Sequence, residues 1–238
     1  MPIILLSTTV AFLVKSLAGF GPALITIPVL SFYVGFKNAV LISTMSDVVA
    51  GLILLIGDRK KINFKIVSVM QIGMAVGAVC GVSMFGLIPL EVLKRLFGFA
   101  MLIILFASLK RKDSIQHIKF YKLSGFLIGL GGGFLGGLIN TNGPIIALYL
   151  RRVISNTRSF RTNLAAILFI DALWRIILMS TQGHVSEELV EMFITSVLPG
   201  VFIGIILGQK IIQKGESKYL KWLVEFLILI FAGKLLLM

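Results

Sequence analysis

An all-α, multi-pass membrane protein is the fold class predicted for this 238-residue chain, on its apolar content, the spacing of its apolar runs and the placement of its positive charges. Hydrophobic residues make up 58% of the chain and charged residues 14%, with a mean hydropathy of +1.02. A spanning helix needs ~20 mainly apolar residues, so this content suits roughly six to eight crossings and leaves little for a water-facing surface. Lys and Arg number 23 against 10 Asp and Glu, a formal net charge of +13. In a soluble protein that excess would point to nucleic acid. Here the basic residues fall in short loops between apolar runs, the positive-inside pattern of a multi-pass protein of an inner or plasma membrane. The expected electrostatic partner is therefore the lipid bilayer with its acidic headgroups, and not nucleic acid.

The elements follow from the apolar runs in order: 2–19, 22–36, 38–57, 66–86, 91–109, 120–139, 143–155, 160–180, 190–212 and 217–238. The first run lacks the basic n-region and cleavage site of a signal peptide and is taken as a membrane segment. The second and seventh follow Gly21-Pro22 and Gly143-Pro144, where Gly-Pro ends one helix and proline favours the first turn of the next. The stretches 2–36 and 120–155 each read as helix, break, helix: a tight hairpin or a discontinuous span. Cys80 is the single cysteine and lies in an apolar run, so no disulfide can form within the chain.

The two breaks are 122 residues apart, and other landmarks recur near that offset. Asp47 matches Asp171, Gly77-x-x-x-Gly81 matches Gly200-x-x-x-Gly204, and Leu93-Lys94-x-Leu96-x-x-Phe99 matches Leu220-Lys221-x-Leu223-x-x-Phe226. Four matches in the same order predict a duplication, with a first repeat at 1–110, a basic cytoplasmic linker at 111–122 and a second repeat at 123–238. The loop after Asp47 carries Arg59, Lys60, Lys61 and Lys65, whereas its counterpart after Asp171 carries Glu187, Glu188 and Glu191. Corresponding loops of opposite charge belong on opposite sides of the membrane. The expected arrangement is two inverted-topology repeats, basic loops in the cytoplasm and both ends outside, with broken or hairpin helices meeting at the midplane.

The residues around the breaks resemble the sulfite exporter TauE/SafE family of membrane permeases, which carries a Gly-x-Gly-Gly-Gly loop between two apolar helices in each half. Here the first copy reads Gly19-Phe20-Gly21-Pro22-Ala23, with Pro28 at the family's spacing. The second reads Asn140-Thr141-Asn142-Gly143-Pro144 after the glycine-rich approach from Gly129 to Gly137, and neither copy keeps the triple glycine. The resemblance covers the whole chain. It implies a transporter of small anions, sulfur oxyanions, organosulfonates or organic acids, in a bacterial or archaeal cytoplasmic membrane.

A helix that starts inside a membrane leaves its early N–H groups unpaired and its positive dipole end exposed, and an anion satisfies both. The expected substrate-binding set is therefore Lys15, Gly19, Gly21, Pro22, Asn140, Thr141, Asn142, Gly143 and Pro144, with Asn142 also able to cap the second helix. Lys15 stands in the first apolar run, too far along it to reach water easily. It has three readings: substrate contact, pairing with Asp47 or Asp171, and exposure at the lipid interface. Asp47 and Asp171 sit near the middle of their runs, where a charge costs ~2.5 kcal/mol or more on insertion scales, and are candidates for proton or cation coupling. Arg175, four residues after Asp171 on the same helix face, makes a structural ion pair the competing reading. Ser43, Thr44, Ser46 and Asn163 are expected to bond mainly to nearby backbone. Gly73, Gly77, Gly81 and Gly86, with Gly200, Gly204 and Gly208, are expected to be packing seams.

No catalytic constellation is predicted: His117 and His184 fall in loops, and no HExxH, nucleophile elbow or Cys-His pairing occurs. No cofactor or metal is expected, and ATP-binding motifs are missing. A secondary transporter working by alternating access, proton- or cation-coupled, is the leading expectation. An anion channel, which would need a continuous polar stripe, and a non-transporting accessory or assembly protein are its rivals.

Overall fold

The computed structural model describes residues 2–18, 21–56, 62–109 and 121–214. Gly19, most of the 111–122 linker, His117 and the 217–238 segment lie outside the described residues. Ten α-helices are found among the described residues: α1 Pro2–Ala18, α2 Ala23–Val34, α3 Phe36–Ile56, α4 Phe64–Phe85, α5 Leu90–Leu109, α6 Tyr121–Ile139, α7 Asn142–Val153, α8 Thr157–Thr181, α9 Glu187–Met192 and α10 Leu198–Lys214. A π-helical turn, Phe193–Val197, joins α9 to α10, so the run expected at 190–212 begins earlier and is one helical stretch. No strand occurs among the described residues. Four helical stretches, Phe36–Ile56, Phe64–Phe85, Thr157–Thr181 and Glu187–Ile211, are long and apolar enough to cross a membrane, and Pro2–Ser16, Ala23–Val34 and Leu123–Ile139 are shorter apolar helices. The chain is an all-α, multi-pass membrane protein.

The lengths repeat. Helices α1 and α6 have 17 and 19 residues, α2 and α7 have 12 each, and α3 and α8 have 21 and 25. A 12-residue helix is about 18 Å long, well short of a hydrocarbon core of ~30 Å. Each half thus places one half-length helix after its break.

Two compact units form, and each takes helices from both halves. One holds α1, α2, the first part of α3, α5, α9 and α10; the other holds the rest of α3 with α4, α6, α7 and α8. In the first unit α1 packs along α10 in parallel. A Cβ on Gly200, Gly204 or Gly208 would strike, in turn, Thr8, the Thr9 carbonyl and Ser16. The Ser16 hydroxyl donates to the Ile205 carbonyl across this seam at 3.3 Å. In the second unit α4 packs along α6 in parallel, and here glycines face backbone from both sides. Gly73, Gly77 and Gly81 lie against the carbonyls of Phe126, Leu130 and Phe134, and Gly129 and Gly133 against those of Met70 and Met74. Small residues at four-residue spacing let two backbones approach this closely where no hydrophobic drive separates helix from lipid. The expected packing seams are therefore present, each joining a helix of the first half to one of the second, except at Gly86, which caps the end of α4 and faces the His184 ring.

Helix α8 lies along α4 in parallel, joined by side chains that find backbone partners. Asn163 Oδ1 accepts from the Asn63 N–H at 2.7 Å, Gln71 Nε2 donates to the Ile167 carbonyl at 2.6 Å, and Trp174 Nε1 to that of Ala75 at 3.2 Å. Asn163 is thus structural, as its expected backbone bonding implies. Helix α7 folds back along α6. Asn142 lies against Gly136, Ile146 against Gly132, and the Tyr149 hydroxyl against Gly125 and, at 3.3 Å, the Ser124 hydroxyl. The second break is therefore a tight hairpin.

Candidate functional site

The tip of the α6–α7 hairpin is built from the polar residues between the two helices. Helix α6 ends with the Asn140 N–H bonded to the Gly136 carbonyl at 3.0 Å. Asn140 then takes φ +54, making it the one non-glycine residue with positive φ among the described residues. Asparagine tolerates this left-handed conformation better than most side chains. The first break has the same plan: Gly21 has φ +97, and in both halves the positive-φ residue stands two places before the first helical one.

The helix starts differ from expectation in register. Helix α7 begins at Asn142, ahead of Gly143-Pro144, whereas α2 begins after Gly21-Pro22. A proline anywhere in a first turn removes an N–H that has no helical partner, so Gly-Pro fixes a helix start only to within a turn. Asn142 is consequently not the cap. Thr141 holds that position, and its side chain makes no capping bond.

Five side chains join around the tip. Asn140 Nδ2 donates to Asp47 Oδ2 of α3 at 3.0 Å, while Asn140 Oδ1 accepts from Arg175 Nη1 of α8 at 2.7 Å. Arg175 Nη1 also donates to the Gly136 carbonyl at 2.9 Å, and Arg175 Nε to Asp171 Oδ2 at 2.8 Å. Asn142 Nδ2 donates to the same Asp171 oxygen. All five residues are buried, Arg175 completely. The ion pair between Asp171 and Arg175, the reading that competes with coupling, is present. Asp47 and Asp171 thus belong to one network, bridged by Asn140 and Arg175. Asp47 and Asp171 both lie close to the midpoints of α3 and α8, so the tip stands level with the middle of both helices.

The amides of Asn140 and Asn142 therefore bond carboxylates. Three buried side-chain atoms of the tip make no hydrogen bond among the described residues: the Thr141 hydroxyl, Asp171 Oδ1 and Arg175 Nη2, the last on a guanidinium already held through Nε and Nη1. Gly136 is part of the same construction, since a Cβ there would meet the Asn142 side chain at 3.1 to 3.3 Å. Neither its role nor that of Asn140 as a bridge was foreseen from the sequence.

At the first break, Lys15 is 2% exposed, which removes the lipid-interface reading, and its Nζ lies 5.6 Å from the centre of the Phe12 ring. The first turn of α2 is buried, and the Thr26 hydroxyl bonds the Pro22 carbonyl at 2.9 Å and approaches that of Ser43 at 3.1 Å. Thr44 and Ser46 bond the carbonyls of Val40 and Ile42, as expected of hydroxyls on apolar helices. No group of metal-ligating residues is found among the described residues.

Searches of curated proteins and of solved structures gave no match. The family model described as sulfite exporter TauE/SafE matches residues 4–235, nearly the full length and both breaks. With that match over an all-α membrane fold, the chain belongs to the sulfite exporter TauE/SafE family of membrane transporters.

Proposed function

We propose that this protein is a secondary transporter that moves a small sulfur-containing anion or organic acid across the cytoplasmic membrane by alternating access, and that it is not an enzyme. The observation that carries the reading is the α6–α7 hairpin. A half-length helix begins among buried residues, where no bulk water reaches its first N–H groups, and its N-terminus carries Thr141, Gly143 and Pro144. Such a terminus favours an anion through its N–H groups and dipole together. Family membership supports a sulfur anion as the cargo. The buried Lys15 and the Gly21-Pro22 break supply the first half's contribution in this reading. Equal half-helix lengths and equivalent glycine seams support a duplicated, inverted-repeat origin.

The Asp47–Asn140–Arg175–Asp171 network is the proposed coupling element. It ties a carboxylate from each half to the residue that sets the hairpin tip, so a proton or cation taken up by either carboxylate changes what holds the tip.

The test is reconstitution of the full chain in liposomes with exchange of labelled sulfite, thiosulfate and small organic acids, alongside heat stability of the purified protein. A bound anion at 100 times its dissociation constant should add ~2.7 kcal/mol of stability. Saturable exchange of at least one anion, weakened in Lys15→Met, is the expected result, and Asp47→Asn should flatten the dependence on a proton or cation gradient. Flux that never saturates would favour a channel, and no flux with no stabilisation would remove the transporter reading.

A further inference from the structure

Two of the atoms left over at the hairpin tip, on Thr141 and Asp171, are of opposite hydrogen-bonding character. The Thr141 hydroxyl can donate, whereas Asp171 Oδ1, when ionised, only accepts. Thr141 is 2% exposed and Asp171 1%, and neither atom has a partner. Native structures leave few buried polar atoms unpaired, and each such atom asks for a reason. These two are neighbours through one residue: Asn142 follows Thr141 in the chain and bonds the other oxygen of the Asp171 carboxylate. Thr141 also occupies the cap position of a 12-residue helix, where a threonine hydroxyl ordinarily accepts from an N–H two or three residues on; the third residue on is Pro144, which has none, so Gly143 offers the one cap donor. Thr141 makes no such bond. Asp171 is ion-paired through its other oxygen to Arg175, so Oδ1 offers a lone pair from a pair that is neutral as a whole.

We propose that these two atoms select the substrate: the Thr141 hydroxyl and the first-turn N–H groups of α7 hold the anionic oxygens, and Asp171 Oδ1 accepts a hydrogen bond from the substrate itself. The transported species is then an anion that carries its own donor, either a singly protonated oxyanion or a sulfonate bearing a hydroxyl group. An anion with acceptors alone would set an oxygen against Asp171 Oδ1 and leave that acceptor buried and unpaired. This inference rests on the anion-transporter reading and narrows it.

The test uses the purified full chain and matched probes differing in one donor. They are 2-hydroxyethanesulfonate against propane-1-sulfonate, and hydrogen sulfite against methanesulfinate, each pair equal in charge, read by heat stability and competition at one pH and ionic strength. The donor-bearing member of at least one set should bind about ten- to a hundredfold more tightly, the penalty for leaving a buried polar group unpaired. Which set shows the preference separates a protonated oxyanion from a substituted sulfonate. Thr141→Val, nearly the same in shape, should weaken every bound anion about tenfold. Asp171→Asn, which places an N–H donor where the acceptor stood, should reverse the preference within the set. If that variant does not fold, the wild-type ratios and Thr141→Val decide. Equal binding within every set overturns the inference and leaves the transporter reading standing. So does binding by none of the probes while another anion is exchanged in liposomes. Exchange of no anion at all removes both.

Discussion

Asn140 combines a backbone conformation that costs most residues free energy with two side-chain bonds to charged groups, and the two contributions can be separated by substitution. Asn140→Gly keeps the left-handed turn and loses the bonds to Asp47 and Arg175. Hydrogen bonds to charged groups contribute about 1.5–3 kcal/mol each, so losing both should destabilise this variant by about 3–6 kcal/mol, less the left-handed strain that glycine relieves. Asn140→Ala loses the same bonds and also places a Cβ at φ +54, which adds about 1–2 kcal/mol. The expected order of stability is wild type, then Gly, then Ala, read by reversible unfolding in mixed detergent. An alanine variant as stable as the glycine one would mean that the tip relaxes out of the left-handed region when the bonds go. Arg175 is the other bridge. Arg175→Leu leaves Asp171 buried without its charge partner, and losses of this kind run to about 3–5 kcal/mol.

At the scale of elements, the glycine seams set which helices pair. A Cβ on Gly77 would overlap the Leu130 carbonyl oxygen, and one on Gly133 that of Met74, so neither backbone can yield without parting the helices. A Cβ on Gly131, two residues before Gly133 on the same helix, would meet nothing within 4 Å. Gly77→Ala should therefore cost about 1–3 kcal/mol as an overpacked core does, while Gly131→Ala should be neutral or gain up to about 1 kcal/mol from helix propensity. Thermal unfolding of the three proteins side by side checks both signs. Seams of this kind are legible in a sequence because a four-residue spacing puts every glycine on one helix face. The Asp171–Arg175 pair is legible for the same local reason. The rest of the tip depends on contacts between distant positions. Asn140 reaches Asp47 across 93 residues of chain, and nothing near Asn140 announces that partner. Residues 140–142 are three polar side chains in a row, any of which could cap α7. Thr141 takes the position, and Asn142, the first helical residue, is engaged by Asp171, a partner only the tertiary structure supplies.

For the molecule as a whole, the directions of the helices within the second unit carry the topology. Helices α4, α6 and α8 run parallel to one another, and α7 runs back along α6. The starts of α4 and α8 and the end of α7 therefore share one end of that unit, and Lys65, Arg151, Arg152, Arg158 and Arg161 gather there. The opposite end is formed where α4 and α8 finish. His184 packs against Gly86 there, and its ring stands edge-on to Phe85 at 5.5 Å between centres. Basic residues near helix ends are retained in the cytoplasm during insertion, so the arginine end should face inward and the His184 end outward. Single cysteines at Lys65 and Gln182, both exposed, test this in a Cys80→Ser background, since Cys80 is itself exposed on α4. An impermeant thiol reagent applied to intact cells should label the Gln182→Cys protein and spare the Lys65→Cys protein until the membrane is opened. The reverse pattern would overturn the orientation while leaving the helix packing intact. Labelling of both from one side would contradict the packing too, because α4 and α8 could not then both cross the membrane in the same direction.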